Sequence, residues 1–519
     1  MALGLMDQLA IVPVMVPLLV GALLVALGTR HVRLAAALSM VSILGLLACS
    51  IALALATADG SVIPYQLGNW PAPFGISLAV DRLSSAMLVV TLLVALACQL
   101  AAGDSLVQRG RGFHGLLQFQ IAGLCGAFLT TDLFNLFVFF EVLLIASYAL
   151  LLQGSGRDGV RASVHYIAIN LLGSSLFLFA VGLLYGVVGT LNMADLAVRI
   201  PQLAPQDVAL AHSAGLVLLI VFAIKSALLP LGLWLPGTYA AATAPVAALF
   251  AIMTKVGVYS ILRVYPLVFG AEAGVLSGIG APWMLVAALG TIALAACGAL
   301  AARNLRTLNC WLIAGSAGTL VAVGAVGDAA SLGAAVFYLP HTTFAAAAMF
   351  LTADLIARAR GPALSDRISV AAPMPHAAVL GTSFFIAAAV IAGLPPASGF
   401  IAKAVLLTSV ATAPSATAIW LFVLAASLAA IIALSRAGSV LFWKPMAVEP
   451  DPEAPRPAPP AAGAHGTVAA LVLMLGAGIA YVVFAAPLQR YAMQAGAQIA
   501  TPERYVQAVL TTAPVERKK

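Results

Sequence analysis

The stretch Ile220–Arg263, IVFAIKSALLPLGLWLPGTYAAATAPVAALFAIMTKVGVYSILR, decides how this chain folds. Two apolar segments flank a gap bearing Pro and Gly, and each holds one lysine, Lys225 and Lys255. Both segments are otherwise apolar enough to lie in a lipid bilayer. A lysine at mid-bilayer costs roughly 2.5–3.5 kcal/mol on insertion scales, so one without a use is rare. Pro230, Pro236 and Pro245 interrupt the helix between the two lysines, because proline lacks a backbone N–H and clashes with the preceding turn. Such a break is tolerated at membrane depth only where protein or water satisfies the freed carbonyls. A broken helix beside a buried lysine reads as an ion pathway. The plainer alternative is a lysine that snorkels to the interface, next to a routine proline kink.

The composition agrees. With 63% hydrophobic and 8% charged residues and a mean hydropathy of +1.08, the chain lies outside the range of soluble globular domains. At roughly 20 residues per span, its length allows more than a dozen membrane helices. The net charge of +7 raises the question of nucleic acid, but the arginines fall in short loops between apolar runs, which is the positive-inside pattern. The five cysteines (Cys49, Cys98, Cys125, Cys297, Cys310) sit within or at the ends of apolar runs with no CxxC spacing. They read as small core residues and leave the redox compartment open.

Taken in order, the apolar runs predict fourteen spans. The first begins at about Ile11 after Asp7, without the leading positive charge of a secretory signal, and Arg30 and Arg33 then place the following loop in the cytoplasm. SVIPYQLGNWPAPFGISLAVDR (61–82) is too broken to span and reads as an extracytoplasmic hairpin capped by Trp70 and Pro71. Arg109 and Arg111, Arg157 and Arg161, Arg303 and Arg306, and Arg358, Arg360 and Arg367 mark further cytoplasmic returns. EPDPEAPRPAPPAAGAH (449–465) is a Pro-rich extended linker with no core to form. A last span from about Val468 to Ala485 precedes a polar tail. Fourteen of the 25 Lys and Arg fall in the assigned inner loops. Three (Arg82, Arg199, Arg263) fall in or near outer loops and five in the tail. The remaining three are Lys225, Lys255 and Lys403, half of all the lysines. Both termini are therefore expected outside.

Two more residues join the lysines. Span five, DLFNLFVFFEVLLIASYALLLQ (132–153), centres on Glu141, the only one of the 18 acidic residues at mid-span. Desolvation favours the neutral acid, so a lone carboxylate in hydrocarbon keeps its proton unless a cation stands beside it; Lys225 and Lys255 are the candidates. A neutral Glu bonded between helices is the alternative. Span eleven carries YLPHTTFAAAAMFL (338–351), with Pro340 and His341 at its middle. Imidazole exchanges protons near neutral pH, although a satisfied buried histidine fits equally well. Span twelve breaks at Pro395 and Pro396 ahead of Lys403. Spans four to eight and nine to thirteen each contain five helices, with the fourth broken at proline beside a lysine. Five is odd, so the second unit is inverted, the signature of inverted-repeat transport folds. The domains expected are 1–112 (helices one to three with the hairpin), 113–270 and 281–442 (the two five-helix units), 443–466 (the linker) and 467–519 (the last helix and tail).

FNLFVFFEVLLIASYALL (134–151), the stretch already quoted from Ile220 and AGLPPASGFIAK (392–403) together resemble the proton-pumping antiporter family. That family includes the Mrp-type multisubunit Na⁺/H⁺ antiporters and the membrane-arm subunits of respiratory complex I. The resemblance covers roughly Leu83 to Phe442, and within the family the chain is most similar to the D-type component of Mrp-type antiporters. It implies an all-α polytopic protein of the bacterial cytoplasmic membrane with about fourteen helices and two inverted five-helix repeats. It further implies Glu141 and Lys225 as a functional pair, Lys255 as central relay, His341 on the eleventh span and Lys403 as the lysine of the second half. Partners would be other membrane subunits, the lipid bilayer, protons and Na⁺ or K⁺, with no cofactor and no nucleic acid. Two departures stand out. Ala346 occupies the position five residues after His341 where many relatives carry lysine. Lys403 stands where the central pumping subunit of complex I carries glutamate. A proton-pumping subunit of complex I or of a membrane-bound hydrogenase remains the alternative. One buried acid is a thin site for a hard cation that prefers several oxygen ligands, so cation exchange is expected to need partner subunits.

Overall fold

The computed structural model describes residues 8–28, 31–103, 112–153, 156–444 and 464–512. Asp7, Arg30, Arg109, Arg111, most of the Pro-rich linker and the final residues of the tail lie outside them.

The apolar runs become helices with identifiable ends. Helices α1 (Val12–Leu27) and α2 (Val32–Ala56) lead to two short strands, β1 (Ile63–Gln66) and β2 (Ser77–Val80). The strands pair antiparallel with Ile63 opposite Val80 and Gln66 opposite Ser77, so the predicted hairpin forms. Helices α3 (Arg82–Ala101), α4 (Phe113–Leu129), α5 (Leu133–Leu152), α6 (Arg157–Val188) and α7 (Met193–Arg199) follow. The chain then runs through α8 (Pro205–Lys225), α9 (Trp234–Ala241), α10 (Ala244–Phe250) and α11 (Met253–Val268). Next come α12 (Ala281–Ala301), α13 (Leu305–Gly324), α14 (Ala329–Leu364), α15 (Ala377–Ala392), α16 (Ser398–Ser409) and α17 (Ala416–Gly438). Asp132, Asn304 and Asp328 cap the starts of α5, α13 and α14 through side-chain oxygens that accept backbone N–H groups at 2.7–2.8 Å. These caps satisfy donors that have no partner within the helix. Pro205 and Pro245 open α8 and α10, where the missing N–H costs nothing.

Among the described residues, eleven helical stretches are long and apolar enough to cross a membrane. Four shorter apolar helices, Val12–Leu27, Phe113–Leu129, Ala377–Ala392 and Ser398–Ser409, accompany them. The most apolar window of Ala244–Val268 is 100% buried and that of Ala329–Leu364 is 94% buried, whereas that of Gly274–Ala301 is 33% buried. The segment carrying Lys255 and the helix carrying His341 therefore run through the middle of the molecule. Outer helices turn apolar side chains outward, among them Leu171, Phe179, Val286 and Leu428, as a lipid-facing surface requires. Helices α2, α3 and α4 are joined by buried polar side chains. Ser39 Oγ donates to Gln99 Oε1 at 3.2 Å and Ser42 Oγ to Gln118 Oε1 at 3.0 Å, and His114 Nδ1 lies 3.1 Å from Gln99 Oε1. Such bonds hold helices together where lipid supplies no hydrophobic drive.

The chain after Val483 folds further than its polar composition indicated. Beyond α18 (Ala464–Val483), the helices α19 (Ala485–Ala500) and α20 (Glu503–Thr511) lie back on the hairpin end of the molecule. Tyr491 Oη donates to the Arg82 carbonyl at 3.0 Å, and Gln66 Nε2 donates to the Thr512 carbonyl at 2.7 Å.

Candidate functional site

Lys225 is the last residue of α8 and is buried. The helix stops there, and Trp234 at the start of α9 donates its indole N–H to the Ile224 carbonyl at 3.1 Å, satisfying one group that the break leaves open. The ammonium donates to Asn170 Oδ1 at 3.1 Å and lies 5.7 Å from the centroid of the Phe140 ring. Asn170 directs its amide N–H back to the Tyr166 carbonyl at 2.9 Å, so its oxygen is the atom left for lysine. Glu141 is half-buried on α5 and accepts a hydrogen bond from Ser174 Oγ.

Glu141 and Lys225 are thus not in direct contact. Four ion pairs occur among the described residues, and neither residue belongs to any of them. Their partners Asn170 and Ser174 stand four residues apart on α6, a spacing that places both on one helix face. A polar strip of α6 connects the acid and the base.

Lys255, in the first turn of α11, is fully buried and donates to Ser316 Oγ on α13 at 3.1 Å. Its helix meets the end of α8 through Gly257. A Cβ at that glycine would lie 2.5 Å from both the N and the Oγ of Ser226, so only glycine lets the two lysine-bearing segments approach this closely. Gly257→Ala is expected to push Ser226 and Lys225 out of register and to slow transport roughly ten- to hundredfold. Turnover per assembled complex in membrane vesicles measures the effect, and a wild-type rate would show that this packing is irrelevant. The hydroxyls of Ser226 and Thr254, next to the two lysines, are buried without hydrogen-bond partners, a condition that internal water commonly relieves.

The second half is connected by a cavity. It measures about 60 Å³, and Ser316, Asn309, His341, Ser427 and Lys403 are among its lining residues. That volume accommodates roughly four waters at ~15 Å³ each. His341, buried beside Pro340, shares a hydrogen bond of 3.0 Å between Nδ1 and Ser398 Oγ at the start of α16. Lys403 on α16 reaches back across the break and donates to the carbonyls of Ile391 and Ala392, at 3.3 and 2.8 Å, and to Ser427 Oγ at 3.0 Å. Gly393 makes room for it: its φ of +82° suits glycine, and a Cβ there would stand 2.9 Å from Lys403 Cδ. Lys225 precedes its break in sequence whereas Lys403 follows its own. Both nonetheless sit at the carbonyl end of the first half-helix, the end that carries partial negative charge.

Of the five residues singled out from sequence, the structure brings His341 and Lys403 to one cavity, and Ser316, which also lines it, accepts a hydrogen bond from Lys255. It sets Glu141 and Lys225 on either side of an α6 strip. Asn170, Ser174, Ser316, Ser398 and Ser427 were missed. Each is a small polar residue in an apolar helix, and the one available signal was that Asn170 and Ser174 share a face. Arg263, read as lying in or near an outer loop, sits within α11, and its buried guanidinium makes a two-pronged bond to Asp81 at 2.6 and 2.7 Å. Among the described residues no group of three or more His, Cys, Asp or Glu side chains comes together as a metal site. The arrangement can bind, release and pass protons between groups held in a low-dielectric interior.

The comparisons with known proteins converge on the same elements. Residues 130–431, from the end of α4 into α17, match the family described as NADH:quinone oxidoreductase/Mrp antiporter, TM. A Rhizobium meliloti protein, named as the D component of a probable K(+)/H(+) antiporter, is 40% identical, with 98% of each chain covered. The corresponding D component of a Bacillus subtilis Na(+)/H(+) antiporter is 34% identical over 97% of this chain and 100% of its own. A chain of the Mrp complex from Dietzia sp. DQ12-45-1b superposes with a TM-score of 0.86 at 28% identity, covering 98% of this chain and 100% of that one. A chain of respiratory complex I from Thermus thermophilus shares the fold, with a TM-score of 0.75 at 21% identity over 97% of this chain and 100% of that one. Buried lysines at helix breaks, a membrane-spanning fold and relatives matched from end to end agree, and the chain belongs to the NADH:quinone oxidoreductase/Mrp antiporter family.

Proposed function

We propose that this chain is the proton-translocating membrane subunit of a multisubunit antiporter exchanging a monovalent cation, Na⁺ or K⁺, for protons. The observation that carries the reading is that three lysines, Lys225 and Lys255 buried and Lys403 half-buried, are each held by neutral oxygen acceptors rather than by a carboxylate. A permanently paired lysine is a structural charge. One held by neutral acceptors in low dielectric gains or loses a proton when its surroundings change.

In this reading a proton passes from Glu141 to Lys225 through water along the α6 strip, with Ser174 holding the acid and Asn170 Oδ1 accepting from the lysine rather than carrying the proton. It passes laterally to Lys255, through the cavity by His341, and to Lys403. Withdrawal or approach of Glu141 alters how firmly Lys225 holds its proton, and Ala346 leaves His341 and water to bridge the middle. Fourteen spans follow if α1, α4 and the α15–α16 pair cross the membrane beside the eleven longer stretches. The two inverted five-helix units would be 113–270 and 281–442, with 1–112 before them, the linker 443–466 in the cytoplasm, 467–519 as the closing segment and both termini outside. The shared position of Lys225 and Lys403 at the carbonyl ends of their half-helices supports that symmetry. Cation exchange would be completed by partner subunits. The complex I alternative is supported by the family description, which names NADH:quinone oxidoreductase beside the Mrp antiporter, and by fold likeness at 21% identity, whereas the relatives matched at 34–40% identity over nearly the whole chain are named as antiporter subunits.

The test is transport by the intact complex in everted membrane vesicles energised to an acid interior. Addition of Na⁺ or K⁺ should relieve the quench of a pH-sensitive dye, and small membrane subunits should co-purify with the chain. Co-purification with redox subunits, with no cation-dependent signal, would instead support a pump of the complex I type.

A further inference from the structure

The proton path leaves one buried charge cluster unused. Asp81 and Arg263 form a fully buried ion pair, with side-chain exposures of 1% and 7%. Asp81 also caps α3 by accepting the Ser84 N–H at 2.9 Å, so it is pinned to the start of that helix. Arg263 Nε donates to Tyr259 Oη at 3.2 Å, and that hydroxyl donates to the Phe128 carbonyl at the end of α4 at 2.6 Å. The guanidinium lies between two rings, 5.5 Å from the centroid of Tyr259 and 4.9 Å from that of Tyr505. Tyr505 belongs to α20, near the far end of the chain, and is buried where it covers the pair.

We propose that Asp81, Arg263 and Tyr505 form a clasp that positions Lys255, making the C-terminal helix α20 part of the transport machinery. Arg263 and Lys255 share α11, eight residues or about 12 Å of helix apart. The Lys255 end of that helix adjoins the interrupted segment between α10 and α11 and has no ion pair among the described residues. A helix moves nearly as a rod, so the distal anchor sets the depth and rotation of the whole element. The two parallel N–H···O bonds of an Arg–carboxylate fork fix orientation as well as distance, and lysine cannot reproduce them. Tyr505 supplies a π face to the guanidinium and shields the fork from water. Arg263 and Tyr505 act through Lys255 and are positioning residues. The inference rests on reading Lys255 as a proton relay.

The experiment uses the assembled complex in vesicles, with turnover per complex and cation KM measured separately. Arg263→Lys is expected to lower turnover about tenfold and Tyr505→Leu about threefold, on the scale of small misplacements of a transfer group. Cation KM should not change, and Tyr505→Phe should restore the rate. The double variant should be no slower than Arg263→Lys alone, since residues acting as one unit are non-additive. Unchanged turnover in either assembled single variant overturns the clasp, as does a loss confined to the amount of complex. Should Arg263→Lys fail to assemble, Tyr505→Leu decides by the same criterion. A parallel Lys255→Ala variant separates the two readings. A wild-type rate there removes the relay itself, whereas its loss beside an unaffected Tyr505→Leu removes only the clasp.

Discussion

Lys225→Ala is expected to abolish cation–proton exchange, by at least about a hundredfold, the contribution typical of a positioned proton-transfer group, while the complex still assembles. The ammonium donates to Asn170 at the end of α8, and alanine leaves no atom there to take or give a proton. Assembly should survive because the structural losses are few. One acceptor, Asn170 Oδ1, loses its partner at a cost of about 1–3 kcal/mol, and a small void opens beside the Phe140 ring. The rest of α8 keeps its packing, with Leu218, Phe222 and Ile224 buried. Dye-quench relief in everted vesicles, normalised to the amount of assembled complex, gives the rate. Wild-type exchange in Lys225→Ala would sink the assignment of this lysine, whatever the fold.

Glu141→Gln and Lys225→Arg are expected to combine with far less effect than their separate losses predict. Glu141 meets Ser174 and Lys225 meets Asn170, two residues on one face of α6, so the acid and the base communicate through a shared strip. Arginine keeps the charge of lysine but hardly deprotonates, and Lys225→Arg should leave a slow, measurable rate. Glutamine keeps an acceptor for Ser174 and removes the charge. If the acid works by changing how Lys225 holds its proton, its removal matters little once residue 225 no longer exchanges one. Groups acting as one unit show this non-additivity, and a double-mutant cycle isolates it. Each single change should cost roughly tenfold or more, with the double variant close to the slower single. A Glu141→Gln effect of the same factor in both backgrounds would mean independent action, and the coupled mechanism would be wrong.

The membrane character, the broken segments and the five charged or titratable residues were all legible in the chain. The reason is energetic. A lysine, glutamate or histidine inside a long apolar run stands out because hydrocarbon penalises it by several kcal/mol, roughly 2.5–3.5 for lysine. Proline likewise interrupts helical hydrogen bonding wherever it falls inside a span. Pro230 beside Lys225 and Pro395–Pro396 ahead of Lys403 announce themselves without any knowledge of neighbours. The tail was read less well. Its helices α19 and α20 carry polar faces, and the surfaces that order them belong to the hairpin, α3 and α14.

Contacts are another matter. Asp81 and Arg263 are 182 residues apart, and nothing local to either predicts the fork they form, so a charge count placed Arg263 only in or near an outer loop. Serine and asparagine carry no charge and are cheap to bury when bonded, so a single Ser174, Asn170 or Ser316 in a long apolar run does not by itself mark a site. By itself the sequence determined which groups must be sheltered: three lysines, a glutamate and a histidine too costly to face lipid. Only the tertiary structure decided what shelters them. It places α6 between Glu141 and Lys225, brings Lys403 back to the carbonyls ahead of its own break, and opens one cavity past His341. Side-chain solvation is a property of each residue, whereas the position of a hydrogen-bond partner depends on how distant helices pack.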